Sequence, residues 1–342
     1  MDSWSERWQG KIGNSHQLGG IETSVLDNGA GRGTRIAWIN TGTGLRFKVV
    51  LDRAMDIADA HYNQHNLAWL SHGGVTSPAP FSDKGIDWLR TFGGGLLTTC
   101  GLSHVGGPES DAFGDRGLHG HISNIAAEIE SVVQPDPRQG QYEMRITGVM
   151  RETKPFGPSL ELRRTISATL GKAEIRIDDE VINRGNTPAP HMLLYHFNFG
   201  WPLVDEGTKI LWEGKWFPRM GAENAQIFRE GQDFKTCPGP IADHLGAGEE
   251  VALIDVEADE RGHCVAGLHN ERLGLGVTLH FEKEQLPWLA NWQHWGQDEY
   301  VTAIEPTTHP LTGQAKARED ESLIFLAPGA RKAYSLRLQI TN

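Results

Sequence analysis

The chain has 342 residues, with 44 acidic against 32 basic, a formal net charge of -12 and no long run of either sign; this balance argues against nucleic acid as a partner and favours a neutral or polar small molecule. Three cysteines, Cys100, Cys237 and Cys264, are far apart and outside any C-x-x-C spacing, so neither a disulfide framework nor a zinc knuckle is expected, and a reducing compartment is. The opening MDSWSERWQGKIGNS lacks the apolar core of a signal peptide and no run of about 18 apolar residues follows, which sets the expectation of a cytoplasmic protein with no membrane partner.

Period-2 apolar alternation runs through residues 21–26, 34–40, 44–51, 125–133, 142–150 and 160–170. It resumes through 173–183, 191–199, 249–258, 275–281, 300–306, 321–328 and 333–340. Clusters such as LDNGAGRGT and VINRGNTPAP separate these segments and supply turn chemistry for antiparallel strands. Helical pieces are confined to short peripheral stretches at 81–92 and 309–320. The expected class is all-β. So many strands would curl or split a single open sheet, so a large antiparallel β-sandwich of two packed sheets is the physical expectation. No linker, composition shift or long repeat divides the chain, and 1–342 reads as one domain. The glycine-rich stretch at 92–107 fits neither a dinucleotide fingerprint nor a P-loop.

Eleven tryptophans and fifteen histidines suit a polar-ligand site, since indoles stack on apolar sugar faces and imidazoles move protons near neutral pH. Three segments concentrate acid-base groups beside turns: DRGLHGHISN at 115–124, LLYHFNFGWP at 193–202 and YVTAIEPTTHP at 300–310. Alternation puts His196 on the face of Leu194 and Asn198, opposite Tyr195, Phe197 and Phe199. It aims Glu305 the same way as Val301 and Ala303, a position a charge tolerates only when paired or used. Taken singly, each group also fits a bland role: a hydrogen-bonded core histidine, a salt-bridged glutamate, a turn-forming His119 and His121.

Taken together and in order, these segments resemble the galactose mutarotase (aldose 1-epimerase) superfamily, in its divergent, functionally uncharacterised branch, over nearly the whole chain. Leu118-His119-Gly120 is similar to the superfamily's Leu-His-Gly segment, which implies a substrate-binding role for His119. Tyr195-His196-Phe197-Asn198 resembles the motif that carries the general acid, and Ile304-Glu305-Pro306 the Leu-Glu-Pro motif that carries the general base. The superfamily's Asn-Arg pair and sugar-contacting Asp have no match, so specificity does not carry over. Arg53, read on one strand face with Met55 and Ile57, is the candidate replacement cation, with pairing to Asp52 or Asp56 as its alternative. In LPWLANWQHWGQDEY, the stretch before the base, Asn291 and Gln293 share a face read as pointing into the cleft, and Trp292 or Trp295 is a candidate stacking ring.

The resemblance implies interconversion of the anomers of an aldose or sugar derivative. The ring oxygen is protonated while the anomeric hydroxyl gives up its proton, the ring opens, C1–C2 rotates and the ring recloses. His196 would be the acid and Glu305 a base on the opposite side of the sugar, with His119 steadying an oxygen. No cofactor is chemically required. The expected partner is a small-molecule sugar, with the protein as monomer or homodimer. Three other readings stand beside this one. A metal-dependent cupin-like isomerase would use His119, His121 and Glu128. A non-catalytic sugar-binding sandwich would keep the tryptophans, and a glycosidase would pair Glu305 with Asp205 or Glu206.

Overall fold

Strand after strand along this chain has a face too apolar to leave in water, and the computed structural model buries those faces between sheets. It describes residues 7–78, 82–221, 223–246 and 248–341. Residues 1–6 and Phe81, which begin the N-terminal reading and the first helical piece, lie outside the described residues.

Two large sheets form the sandwich. The eight-stranded sheet runs in the order Lys209–Leu211, His263–Asn270, Leu275–Glu282, Arg331–Thr341, Glu174–Asn183, Ser159–Thr169, Glu143–Thr153 and Glu128–Val133. The seven-stranded sheet runs Gly214–Pro218, Glu250–Val256, Trp288–Gly296, Glu299–Thr307 and Ala189–Phe199, with Ile324–Leu326 and Thr98–Leu102 both pairing with the last long strand. A five-stranded meander from Gly20–Val25 to His65–Asn66 packs onto the same core. Pairing within these sheets is antiparallel, as turn-rich connections between alternating segments require.

The main core fills the space between the two large sheets: Ile166, Ile177 and Leu336 from one side meet Leu193, Phe197 and Ile304 from the other. Each such fully buried side chain contributes about 1.5–3 kcal/mol. A buried polar knot lies in the same layer. Arg164, fully buried, bonds Asp179 at 2.7 Å and Asp56 at 3.1 Å, and the Tyr195 hydroxyl donates to Asp179 at 2.7 Å. That bond fixes the strand Ala189–Phe199 from behind.

The seven-stranded sheet is buried on both faces. Its outer face carries a second apolar cluster of Met192, Leu194, Val251, Leu253 and Ala290, covered by loops. The helical pieces stay peripheral, as a 3-10 turn at Asp87–Arg90 and an α-helix at Gly313–Glu319. Among the described residues no helix is long and apolar enough to cross a membrane. Cys100, Cys237 and Cys264 are all free and buried.

Candidate active site

The outer face of the seven-stranded sheet opens into a cleft of about 800 Å³, and the strand Ala189–Phe199 runs along its floor. Alternation along that strand turns Tyr195, Phe197 and Phe199 into the main core and leaves His196 to the cleft. The neighbouring strand Glu299–Thr307 pairs in a register that sets Phe197 against Ile304 and Leu194 against Thr307. The same register places His196 across from Glu305. His196 Nε2 lies 3.5 Å from Glu305 Oε1.

These two groups are therefore neighbours on one floor, not opposite walls with a sugar ring between them as the sequence reading had it. The distinction suits the chemistry, because the ring oxygen and the anomeric oxygen are bonded to the same carbon. Two groups that sit side by side can therefore reach both oxygens at once.

Both groups are buried, and burial decides their charge. Glu305 is 1% exposed, and its Oε1 has no hydrogen-bond partner among the described residues. Desolvation pushes its carboxyl up to about 8, with Arg219 opposing and Glu249 reinforcing the shift. Desolvation pushes His196 down to about 3, against a hydrogen bond with the Asn198 side chain that raises it. At neutral pH the pair is thus a carboxylic acid beside a neutral imidazole, holding one proton between them.

His119 reaches the cleft from a loop. It has a left-handed φ of +56°, and the following Gly120, with φ +68°, passes so close to Gly101 that a Cβ there would stand 2.5 Å from the Gly101 carbonyl oxygen. Backbone bonds from Gly101 N to His119 O and from His119 N to Gly106 O fix the loop. Gly106 N donates to His119 Nδ1 at 3.4 Å. A ring nitrogen that accepts must be unprotonated, so in this neutral imidazole Nε2 carries the proton and is the available donor. Burial, and then the nearby His196, hold His119 well below the usual histidine range.

Aromatic rings wall the pair. Phe92 and Trp292 stand 5.4 and 5.5 Å from the His196 ring, centroid to centroid, and Trp88 stands 5.1 Å from His119. The Trp292 indole N–H donates to Glu249 Oε2 at 2.6 Å, and Glu249 Oε1 accepts from Arg219 at 2.6 Å. Trp292 is thus the stacking candidate that lines the cleft, whereas Trp295 is fully buried in the main core.

Two expected binding residues lie elsewhere. Gln293 points away from the cleft into the layer between the sheets, where it donates to Phe234 O and Asn291 Oδ1 and accepts from Trp295 Nε1. Asn291 shares that inward face. Arg53 is not on a strand, because the chain turns at 51–55 with left-handed Ala54 and Met55. Its guanidinium is buried behind the cleft wall, on Asn124 Oδ1 and Thr91 O at 2.8 Å and Thr76 Oγ1 at 3.3 Å. No ion-pair contact joins it to Asp52 or Asp56, which pair with Arg35 and Arg164, but Arg53 and Asp56 still attract each other through space: burial lowers the guanidinium and the Asp56 charge opposes that shift.

The ligand sets of two rival readings are not assembled. Glu128 lies exposed on the eight-stranded sheet, paired with Arg151, and among the described residues no three His, Cys, Asp or Glu side chains converge as metal ligands. Asp205 pairs with Arg272 at the surface, and neither it nor Glu206 lines the cleft.

A family model for a domain of unknown function, DUF4432, matches residues 31–340. The chain belongs to that family. Among solved structures, a Klebsiella pneumoniae protein provisionally named an aldose 1-epimerase superposes with a TM-score of 0.84 at 26% identity, covering 96% of this chain and 86% of that one. A galactose mutarotase-like protein from Clostridium acetobutylicum gives 0.67 at 12% identity, covering 94% and 98%. A galactose 1-epimerase from Lactobacillus acidophilus gives 0.60 at 12%, covering 94% and 98%. No curated protein matches the chain in sequence. This DUF4432 member therefore has the galactose mutarotase-like β-sandwich, in a divergent branch of that superfamily.

In it, sequence reasoning missed Arg219 and Glu249, which enter the cleft from loops that flank short strands. Glu249 was legible only as the first residue of an alternating segment, and Arg219 follows a strand that was not recognised.

Proposed function

We propose that this protein is a sugar mutarotase or related sugar epimerase that interconverts anomers by acid-base ring opening at His196 and Glu305. The observation that carries the reading is the side-by-side placement of His196 Nε2 and Glu305 Oε1, both groups buried and Oε1 unpartnered among the described residues, on the floor of an aromatic-walled cleft. Leaving Glu305 Oε1 unsatisfied costs about 1–3 kcal/mol, which a ligand's hydroxyl would recover.

The proton inventory fits ring opening. At rest the single proton is on Glu305, the group that burial raises. A bound aldose reverses this preference. Its anomeric hydroxyl donates to Glu305 and favours the carboxylate, while its ring oxygen accepts only and favours protonated His196. His196 then acts as acid and Glu305 as base; opening the ring returns the proton to Glu305, and closure on the other carbonyl face runs the steps backward. The His119 Nε2–H is the group that would hold a sugar oxygen, a role supported by its place in the cleft lining and by the bond from Gly106 N to Nδ1. Each well-placed group is worth roughly 100 to 10,000-fold in rate. No step calls for a cofactor.

The reading takes residues 1–342 as one domain, supported by large sheets that interleave strands from both halves of the chain. Its test is exchange NMR between the anomers of a panel of aldoses with catalytic amounts of protein. Acceleration that disappears in His196→Asn supports it; no acceleration with any sugar, or full activity in that variant, ends it.

A further inference from the structure

The charges around the cleft are matched in a way that bears on which sugars it admits. Among the described residues, two permanent cations line it. Arg90, at the rim, pairs with Asp87 at 2.8 Å. Arg219, on the wall near Glu305, pairs with Glu249 at 2.6 Å. The third nearby guanidinium, Arg53, faces Asn124, Thr91 and Thr76 behind the wall. Of the two guanidiniums that line the cleft, neither is left without a carboxylate partner for a phosphate or carboxylate on the ligand.

Glu249 has one oxygen for each of two duties. Oε1 cancels Arg219 and Oε2 accepts from the Trp292 indole, which holds that ring at 5.5 Å from His196 and 6.0 Å from Trp69. A ring held there offers its face to the apolar C–H side of a sugar. We propose that Glu249 is the specificity-determining residue of this cleft: it fixes Trp292 as the stacking wall and masks Arg219, so that uncharged aldoses are accepted and their phosphorylated or carboxylated counterparts are refused. The proposal rests on the reading of the cleft as an aldose site.

A glutamine at 249 separates the two duties. Its amide oxygen still accepts the indole N–H, but it no longer cancels the guanidinium. The test uses the full-length chain as wild type, Glu249→Gln, Arg219→Met and the double variant. The probes are D-glucose, D-galactose and D-xylose against D-glucose 6-phosphate and D-galactose 6-phosphate. Binding is read from intrinsic tryptophan fluorescence and turnover from anomer-exchange NMR.

Wild type is expected to bind the uncharged hexoses at least tenfold more tightly than their phosphates. Glu249→Gln shifts that ratio at least tenfold toward the phosphates, Arg219→Met shifts it the other way, and the double variant, neutral again at this pair, restores the wild-type ratio. Wild-type preference for the phosphates, no binding of any uncharged probe, or a ratio indifferent to Glu249→Gln overturns the proposal. Binding with this charge pattern but without exchange would sink the catalytic reading and leave the selectivity standing; exchange with the opposite pattern would do the reverse.

Discussion

Glu305 stands across the antiparallel ladder from His196, its Oε1 3.5 Å from the imidazole Nε2, with both side chains almost fully withdrawn from solvent. Nothing in the fold requires a carboxyl at that place: the positions around it on the same face are filled by Leu194, Ala303 and Ala290. A pair so placed is expected to behave as one unit.

Removing either member is expected to remove most of the function of both. His196→Asn and Glu305→Gln should each lower anomer exchange by roughly 100 to 10,000-fold. The double variant should be little worse than either single one, because a donor without its acceptor completes no cycle. Additive losses in the exchange rate would show that the two act separately.

The pH profile follows from the single shared proton. Burial lowers His196 to about 3 and raises Glu305 to about 8, so the pair holds one proton between those values, two below them and none above. Activity should be flat through neutrality and fall as pH rises past about 8, when the proton needed by the ring oxygen is gone. Measured as kcat/KM after subtracting spontaneous exchange, a rate that keeps climbing on the alkaline side would contradict the shared-proton assignment.

Stability should move with the same group. The folded state keeps the Glu305 proton up to about 8, whereas the unfolded chain releases it near 4.5, so the folded form binds more protons between those values. This contribution is fully present below 4.5 and is lost as pH rises to about 8. Glu305→Gln abolishes that dependence and should be the more stable protein at alkaline pH, by an amount on the order of a few kcal/mol. Thermal melts of both proteins across this range check the sign, and parallel curves would refute it.

Arg53 is expected to report on the wall and not on the sugar. Arg53→Met removes three hydrogen bonds and leaves Asn124 and the Thr91 carbonyl short of a donor, a loss of about 2–4 kcal/mol in urea unfolding. A variant with native stability but a selectively raised KM would return Arg53 to the role of ligand contact.

Gly120→Ala tests how His119 is delivered. A methyl group there would collide with the Gly101 and His104 carbonyl oxygens, at 2.5 and 3.0 Å, on a backbone already left-handed. Folding should weaken by about 1–3 kcal/mol and kcat/KM should drop at least tenfold, as the histidine is pushed from its place. Unchanged kinetics would mean that His119 takes no part.

What could be read from the sequence divides along physical lines. The strand carrying His196 was legible in its phase because Tyr195, Phe197 and Phe199 are a one-sided aromatic row, and Glu305 because a carboxyl stands in phase with Val301 and Ala303 on an otherwise apolar strand, which runs on through Pro306 to Thr307. The strand Trp288–Gly296 misled, since a strand buried on both faces lacks a polar-apolar alternation to tell Trp292 from Gln293. Arg53 misled because Ala54 and Met55, apolar residues with no turn signature, take positive φ and break the strand. Thr98–Leu102 escaped notice inside a glycine-rich stretch, yet it flanks the His196 strand opposite Glu305. Arg219 and Glu249 meet only through tertiary folding, and no local pattern announces such a meeting.

The strand pairing that joins residues 196 and 305 has an evolutionary corollary. Hydrogen-bonded neighbours in a sheet are held about 4.7–4.9 Å apart by the backbone itself, so the spacing of His196 and Glu305 is inherited from the ladder and is insensitive to loop sequence. The elements around it, at 82–92, 117–121, 219–221, 223–246 and 248–249, are mostly connections that tolerate exchange. Lineages sharing this scaffold are free to rewrite the lining of the cleft while residues 196 and 305 stay where the sheet put them.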